Sequence, residues 1–179
     1  KNFIYIGEGN TTKPPAIIKI FNLFLNKFSN YDWFMIIDDD SYLYVDKLYQ
    51  YLNFNDKNDC LMIGDYLNWV MSHKAFKCDY NSWIGGGPGI IFTKKCIEVF
   101  LKISKTSQLS NVNHDVLLHN MCKISLQNSS LTQIKRIHCP GFHQYGYKHL
   151  LNKYSIDSLL LISIHLCTDI EYIYKYHLE

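Results

Sequence analysis

Between residues 15 and 28 the apolar side chains Ile17, Ile18, Phe21, Phe24, Leu25 and Phe28 recur at spacings of three and four. That period puts them along one side of an α-helix. The prolines Pro14 and Pro15 suit its first turn, where a missing N–H costs nothing. Asn30 and Asp32 end the pattern. Residues 33–37 are continuously apolar and too few for a helix, which predicts a strand covered on both faces. Asp46 is expected to cap a helix over 47–52. Residues 61–66 and 89–92 read as further strands. Thr93 is placed to cap a helix from 94 to about 104, whose apolar positions are Ile97, Phe100, Leu101 and Ile103. A short helix is expected over 115–125, and a late apolar, β-branched strand over 159–166. Strands alternating with helices predict an α/β fold with a mixed sheet. No internal repeat or Gly/Ser linker divides the sequence, so 1–179 reads as one domain.

Composition narrows the class. With 47% hydrophobic and 19% charged residues, and 14 Tyr and 10 Phe, the chain can build a core. A length of 179 residues lets one domain bury roughly two-thirds of its unfolded surface. Eighteen basic residues against sixteen acidic give a net charge of +2 with no long basic block, which argues against a nucleic-acid partner. Six cysteines (Cys60, Cys78, Cys96, Cys122, Cys139, Cys167) form no CxxC pair, so a structural zinc site is not expected. The even count suits a disulfide-bearing secretory protein, and buried thiols in a reducing compartment are the alternative. Two sequons, at Asn10 and Asn128, agree with secretion. No run approaches the ~20 apolar residues of a membrane span. The chain begins with Lys and shows no signal peptide, so it is expected to be a piece of a longer protein whose targeting segment lies outside it.

The chemistry starts with "WFMIIDDDSYLYV". Asp38, Asp39 and Asp40 follow the first predicted strand, at the carboxyl end where open α/β sheets hold ligands. Alternation along the strand would aim Asp38 and Asp40 at one site and Asp39 elsewhere. Two close carboxylates raise each other's pKa unless a cation intervenes, and oxygen ligands favour Mn²⁺ or Mg²⁺ over zinc. A polar turn with Asp38 as a cap is the plainer alternative. In "NSWIGGGPGIIFTKK" a glycine cluster precedes a strand, which is either a tight turn or a close approach to a ligand. It is not a P-loop, because no GK[ST] follows. Asp115, in "VNHDVLLHNMCKISL", could cap its helix or act as a general base. His165 at the end of the late strand and His143 in "GFHQYGYKHL" are candidate metal ligands, each also readable as an ordinary satisfied polar residue.

Together and in order, these segments resemble the fringe-like family of inverting glycosyltransferases, with the core 1 β1,3-galactosyltransferases (T-synthases) as the nearest subgroup. The similarity runs from about Thr12 to the end. Its specific parts are the acid triplet with its flanks and the late "ISIHLCTDIEYIYKYHL", with "GGGPGIIFTKKCIEVF" less so, and "HDVLLHNMC" and "FHQYGYKHL" resemble further family motifs. The resemblance implies a GT-A type fold, a UDP-sugar donor and a glycan or glycoprotein acceptor. It also implies transfer of galactose or an N-acetylhexosamine, with a β1,3 linkage. Carried over by position, Asp38, Asp40 and His165 hold the metal, with His143 as the alternative, and Asp115 is the base. Asp39, Trp83, Gly86, Gly87 and His143 line the donor and acceptor sites. The chain departs from the family at His114, where Glu or Asp is usual, and at His119, where Gly is common. The family's first βα units are expected upstream, along with an anchor that would place the whole as a type II membrane protein in the Golgi lumen. Two other functions stay open at this point: a fringe-like accessory or glycan-binding domain that has lost catalysis, and a metal-dependent phosphohydrolase.

Overall fold

The structure is a computed structural model and describes residues 14–68, 82–108, 112–143 and 161–165. In chain order the elements are α1 (Pro14–Lys27), β1 (Trp33–Ile36), β2 (Tyr42–Leu43), α2 (Val45–Leu52), β3 (Leu61–Gly64) and β4 (Tyr66–Asn68). They continue with β5 (Ser82–Ile84), β6 (Ile90–Thr93), α3 (Lys94–Thr106), α4 (His114–Gln127), β7 (Lys135–His138), β8 (Phe142–His143) and β9 (Ser163–Ile164). This is the expected mixed α/β architecture.

The central sheet has the order β1-β6-β3-β7. β6 runs antiparallel to both β1 and β3, whereas β3 and β7 are parallel. Successive strand residues face opposite ways, and here both faces are apolar for that reason. Phe34, Met62, Ile90 and Phe92 join one core with α1, α3 and α4, while Leu61, Ile63 and Ile91 join a second with Phe142 and Ile162. Leu48, Tyr51 and Leu52 of α2 cover that second face. β1 is therefore covered on both sides, as its unbroken apolar run predicts. As an edge strand of the described sheet it has only Phe34 buried.

Several boundaries differ from the sequence expectation. Asp46 lies inside the first turn of α2, whose N-cap is Tyr44, so Asp46 faces the helix dipole rather than capping. The strand expected over 61–66 is two strands, because the chain leaves the central sheet at the fully buried Asp65 and β4 pairs with β5 instead. Only Ser163–Ile164 of the late apolar run pairs as a strand among the described residues, and residues 159, 160 and 166 lie outside them. Thr93 caps α3 as expected, its hydroxyl accepting the Cys96 N–H. The sequon at Asn10 and the cysteines Cys78 and Cys167 also lie outside the described residues.

Phe21 ties α1 to the sheet. It meets Phe92 edge-on, with ring centroids 5.3 Å apart, and stacks on Phe100 at 5.6 Å. Removing a fully buried aromatic leaves a cavity as well as losing its transfer free energy. Phe21→Ala is expected to lower unfolding free energy by about 3–5 kcal/mol. Phe54→Ala, at a side chain 88% exposed, should change it by less than about 0.5 kcal/mol. Urea denaturation of the two variants checks both values.

Candidate active site

The acid triplet leaves the central sheet as a turn. Asp38 is half-buried, and Asp39 and Asp40 sit exposed in the turn that follows. Two contacts anchor this turn to the glycine segment: the Asp38 N–H donates to the Gly87 carbonyl at 3.3 Å, and the Ser41 hydroxyl donates to the same oxygen at 2.7 Å. Directly afterwards β2 pairs antiparallel with β9, matching Tyr42 with Ile164 and Leu43 with Ser163. That register carries the next residue, His165, back to the acids. β8 supports it from the other side, since the His165 N–H donates to the His143 carbonyl at 2.9 Å.

The result is a compact group of three. His165 Nε2 lies 3.3 Å from Asp40 Oδ1 and 3.6 Å from Asp38 Oδ2. One donor atom from each of Asp38, Asp40 and His165 falls within 4.8 Å of the others. Asp38 and Asp40 thus converge through a turn rather than through strand alternation, with Asp39 left outside the group. Burial pushes the Asp38 carboxyl above its ordinary range, His114 and His165 pull it back, and Asp40 and Asp39 add to the rise. A divalent cation would relieve that repulsion. Two carboxylate oxygens and one imidazole nitrogen fit Mn²⁺ or Mg²⁺. His143, the alternative ligand, is buried on β8 and is not part of this group; its carbonyl serves the backbone of His165.

The buried glycine turn over 85–89 decides how closely these parts approach. A Cβ on Gly87 would run into the His165 ring, and one on Gly86 into the His114 ring. Gly89 has φ +110°, a backbone conformation open to glycine. The turn is therefore packed between the metal-type group on one side and the start of α4 on the other.

On the α4 side stands Asp115. The N-cap is Asn113, so Asp115 lies inside the first turn and the capping expectation does not hold. Its Oδ1 accepts the Val116 N–H at 2.8 Å, and its Oδ2 accepts the indole N–H of Trp83 at 3.1 Å. Trp83, expected to line the donor or acceptor site, touches the candidate base itself. Its strand is braced by Arg136, whose guanidinium donates to the Ser82 carbonyl and lies 3.0 Å from His119 Nδ1. His119 is 1% exposed, and burial, with Lys123 and Arg136 nearby, pushes its pKa down to about 4. A neutral ring accepts from Arg136 at Nδ1. His119 stood out in the sequence only as a departure from the Gly that the family resemblance led one to expect, and Arg136 carried no signal at all.

A profile of the Fringe-like family matches residues 9–171. The chain belongs to the Fringe-like family. Two curated relatives agree: it is 28% identical over 138 residues to a β-1,3-glucosyltransferase of Mus musculus and 27% identical over 138 residues to the Homo sapiens protein of the same name. Each match covers 76% of this chain and 25% of the relative, so the chain spans about a quarter of their length. Both names specify glucosyl transfer. The mixed α/β sheet flanked by helices is consistent with the GT-A type fold of a Fringe-like domain.

Two outcomes follow from this geometry. Gly87→Ala should weaken Mn²⁺ binding about tenfold or more, a loss of at least ~1.4 kcal/mol, by forcing His165 away from the carboxylates. Isothermal titration checks this, with circular dichroism to verify an unchanged fold. His119 has a folded pKa below the ~6.5 of a free imidazole, so the unfolded chain binds the extra proton. Its contribution is fully present above pH ~6.5 and is lost as pH falls toward 4, by at most about 3 kcal/mol. Asp38, raised in the fold, has the opposite sign. The His119 part is therefore the difference in pH-dependent stability between wild type and His119→Gln.

Proposed function

We propose that this Fringe-like chain is the metal- and base-bearing part of a glycosyltransferase. It moves a hexose from a UDP-sugar to a hydroxyl of a glycan on a glycoprotein, with inversion and a β1,3 linkage. The observation that carries the proposal is the seating of the Asp38, Asp40 and His165 group and the Asp115 helix against one buried glycine turn. The relatives' names favour glucose as the sugar over the galactose or N-acetylhexosamine expected from sequence. A Fringe-like transferase of this kind belongs in the secretory pathway, Golgi lumen included, anchored through a segment outside these residues. Among the described residues no helix is long and apolar enough to cross a membrane.

Asp38, Asp40 and His165 would hold Mn²⁺ or Mg²⁺, and the bound ion would supply positive charge against the diphosphate of the departing UDP. Asp39, exposed beside this group, would contact the donor, and Gly86 and Gly87 leave room for the His114 and His165 rings that flank it. The acceptor oxygen attacks the anomeric carbon from the face opposite the diphosphate. The new C–O bond forms as the bond to UDP breaks, which inverts the centre. The Asp115 carboxylate takes the acceptor's proton and later releases it to water. Trp83 and the Val116 N–H each hold one carboxylate oxygen, which fixes the orientation of the base.

Turnover by the full-length protein on a UDP-glucose, UDP-galactose and UDP-N-acetylglucosamine panel tests the proposal. Transfer should require Mn²⁺ and stop with chelator. Phosphate release without acceptor would mark a phosphohydrolase. Metal-dependent UDP binding without transfer to any acceptor would mark an accessory domain, a reading that His114 at the family's acidic position favours. Asp115→Asn should lower kcat ~10²- to 10⁴-fold with UDP affinity unchanged. Trp83→Phe, which keeps an aromatic side chain and deletes the N–H, should lower kcat by about tenfold. It should add almost nothing in the Asp115→Asn background, because its effect passes through that carboxylate.

A further inference from the structure

Thr93 does more than cap α3. Its hydroxyl donates to the Asp59 carbonyl at 2.7 Å and accepts the N–H groups of Leu61 at 3.0 Å and Cys96 at 3.4 Å. One side-chain oxygen thus holds the backbone on both sides of Cys60 and the N–H of Cys96. The β3–β6 register, which pairs Met62 with Phe92, brings the start of β3 alongside the junction of β6 and α3. The two cysteine side chains meet there, thiol hydrogen-bonded to thiol. Cys60 is 3% and Cys96 0% exposed.

Of the other two described cysteines, Cys122 lies near enough to Cys96 to act on it, and both have other partners. The Cys122 thiol donates to Met62 Sδ at 3.8 Å, and Cys139 bonds Tyr51. Cys60 and Cys96 also differ from each other. The hydrogen bond from Cys96 pulls the Cys60 thiol down, with help from Lys95, whereas burial pushes Cys96 well up. Cys60 also adjoins the largely exposed loop over 53–59. Neither residue belongs to the metal-type group or to the Asp115 side of the site.

We propose that Cys60 and Cys96 are a disulfide-forming pair, closed by exchange with a small disulfide such as oxidised glutathione or with a disulfide-carrying oxidoreductase. The Cys60 thiolate attacks one sulfur of that oxidant, the other sulfur leaves as a thiolate, and a mixed disulfide remains on Cys60. Cys96 then gives its proton to water and attacks the Cys60 sulfur, releasing the second thiolate. Two electrons pass from the protein thiols to the oxidant, which ends as two thiols. The bond ties the central strand β3 to the first turn of α3 and cross-links the unfolded chain, which stabilises the fold. The proposal is independent of the sugar-transfer chemistry.

Peptide mapping of the folded protein tests it without any variant. After incubation with oxidised glutathione, alkylation and tryptic digestion, residues 58–74 and 96–102 should appear as one linked species that separates on reduction. Reduction should lower Tm by about 5 °C or more in wild type and leave a Cys60→Ser, Cys96→Ser double variant unmoved. Three results would overturn the proposal: the two peptides recovered separately alkylated, either one joined to a different cysteine, or glutathione left on Cys60.

Discussion

No side chain fits at Gly86 or Gly87, and the geometry of the site depends on that exclusion. A Cβ on either glycine would occupy the space taken by an imidazole, His114 on one side and His165 on the other. The same turn accepts two hydrogen bonds at the Gly87 carbonyl, from Asp38 and Ser41. It therefore fixes the acid loop, the late histidine and the first turn of α4 against one piece of backbone. A methyl group on Gly87 would separate the carboxylates from the imidazole that faces them.

The rest of the fold holds that turn still. β6 leaves it as a fully buried strand between β1 and β3, with a core on each face. Phe92 and Phe100 lock β6 and α3 to α1 through Phe21. On the opposite side of the site, Arg136 on β7 reaches the Ser82 carbonyl and His119, joining β5 to α4. Trp83 can then present its indole N–H to Asp115 from a strand that does not move independently of the helix.

Sequence pattern located the long elements and the acid cluster, because each is a local signal. The three- and four-residue spacing named α1 and α3 within one or two residues, and Thr93 was legible as a cap. The acid triplet, the glycines and His165 were recognisable as pieces, and the family likeness set them in order. What escaped was nonlocal. β5, β7 and β8 are two to four residues long and exist through pairing. Asp65 divided the single strand read over 61–66 into β3 and β4. Asp115 looked like a cap until Asn113 took that place two residues earlier. The Trp83–Asp115 hydrogen bond and the Cys60–Cys96 contact join residues 32 and 36 positions apart, which spacing along a chain does not report.

The central claim is that Asp38, Asp40 and His165 share one divalent ion. A crystal of the protein grown with Mn²⁺ and UDP, measured at the manganese absorption edge, addresses it directly. The account predicts one strong anomalous peak within about 2.0–2.6 Å of oxygen or nitrogen atoms of all three residues. A peak held by His143 in place of His165, or full UDP occupancy with no peak at the acid turn, would contradict it.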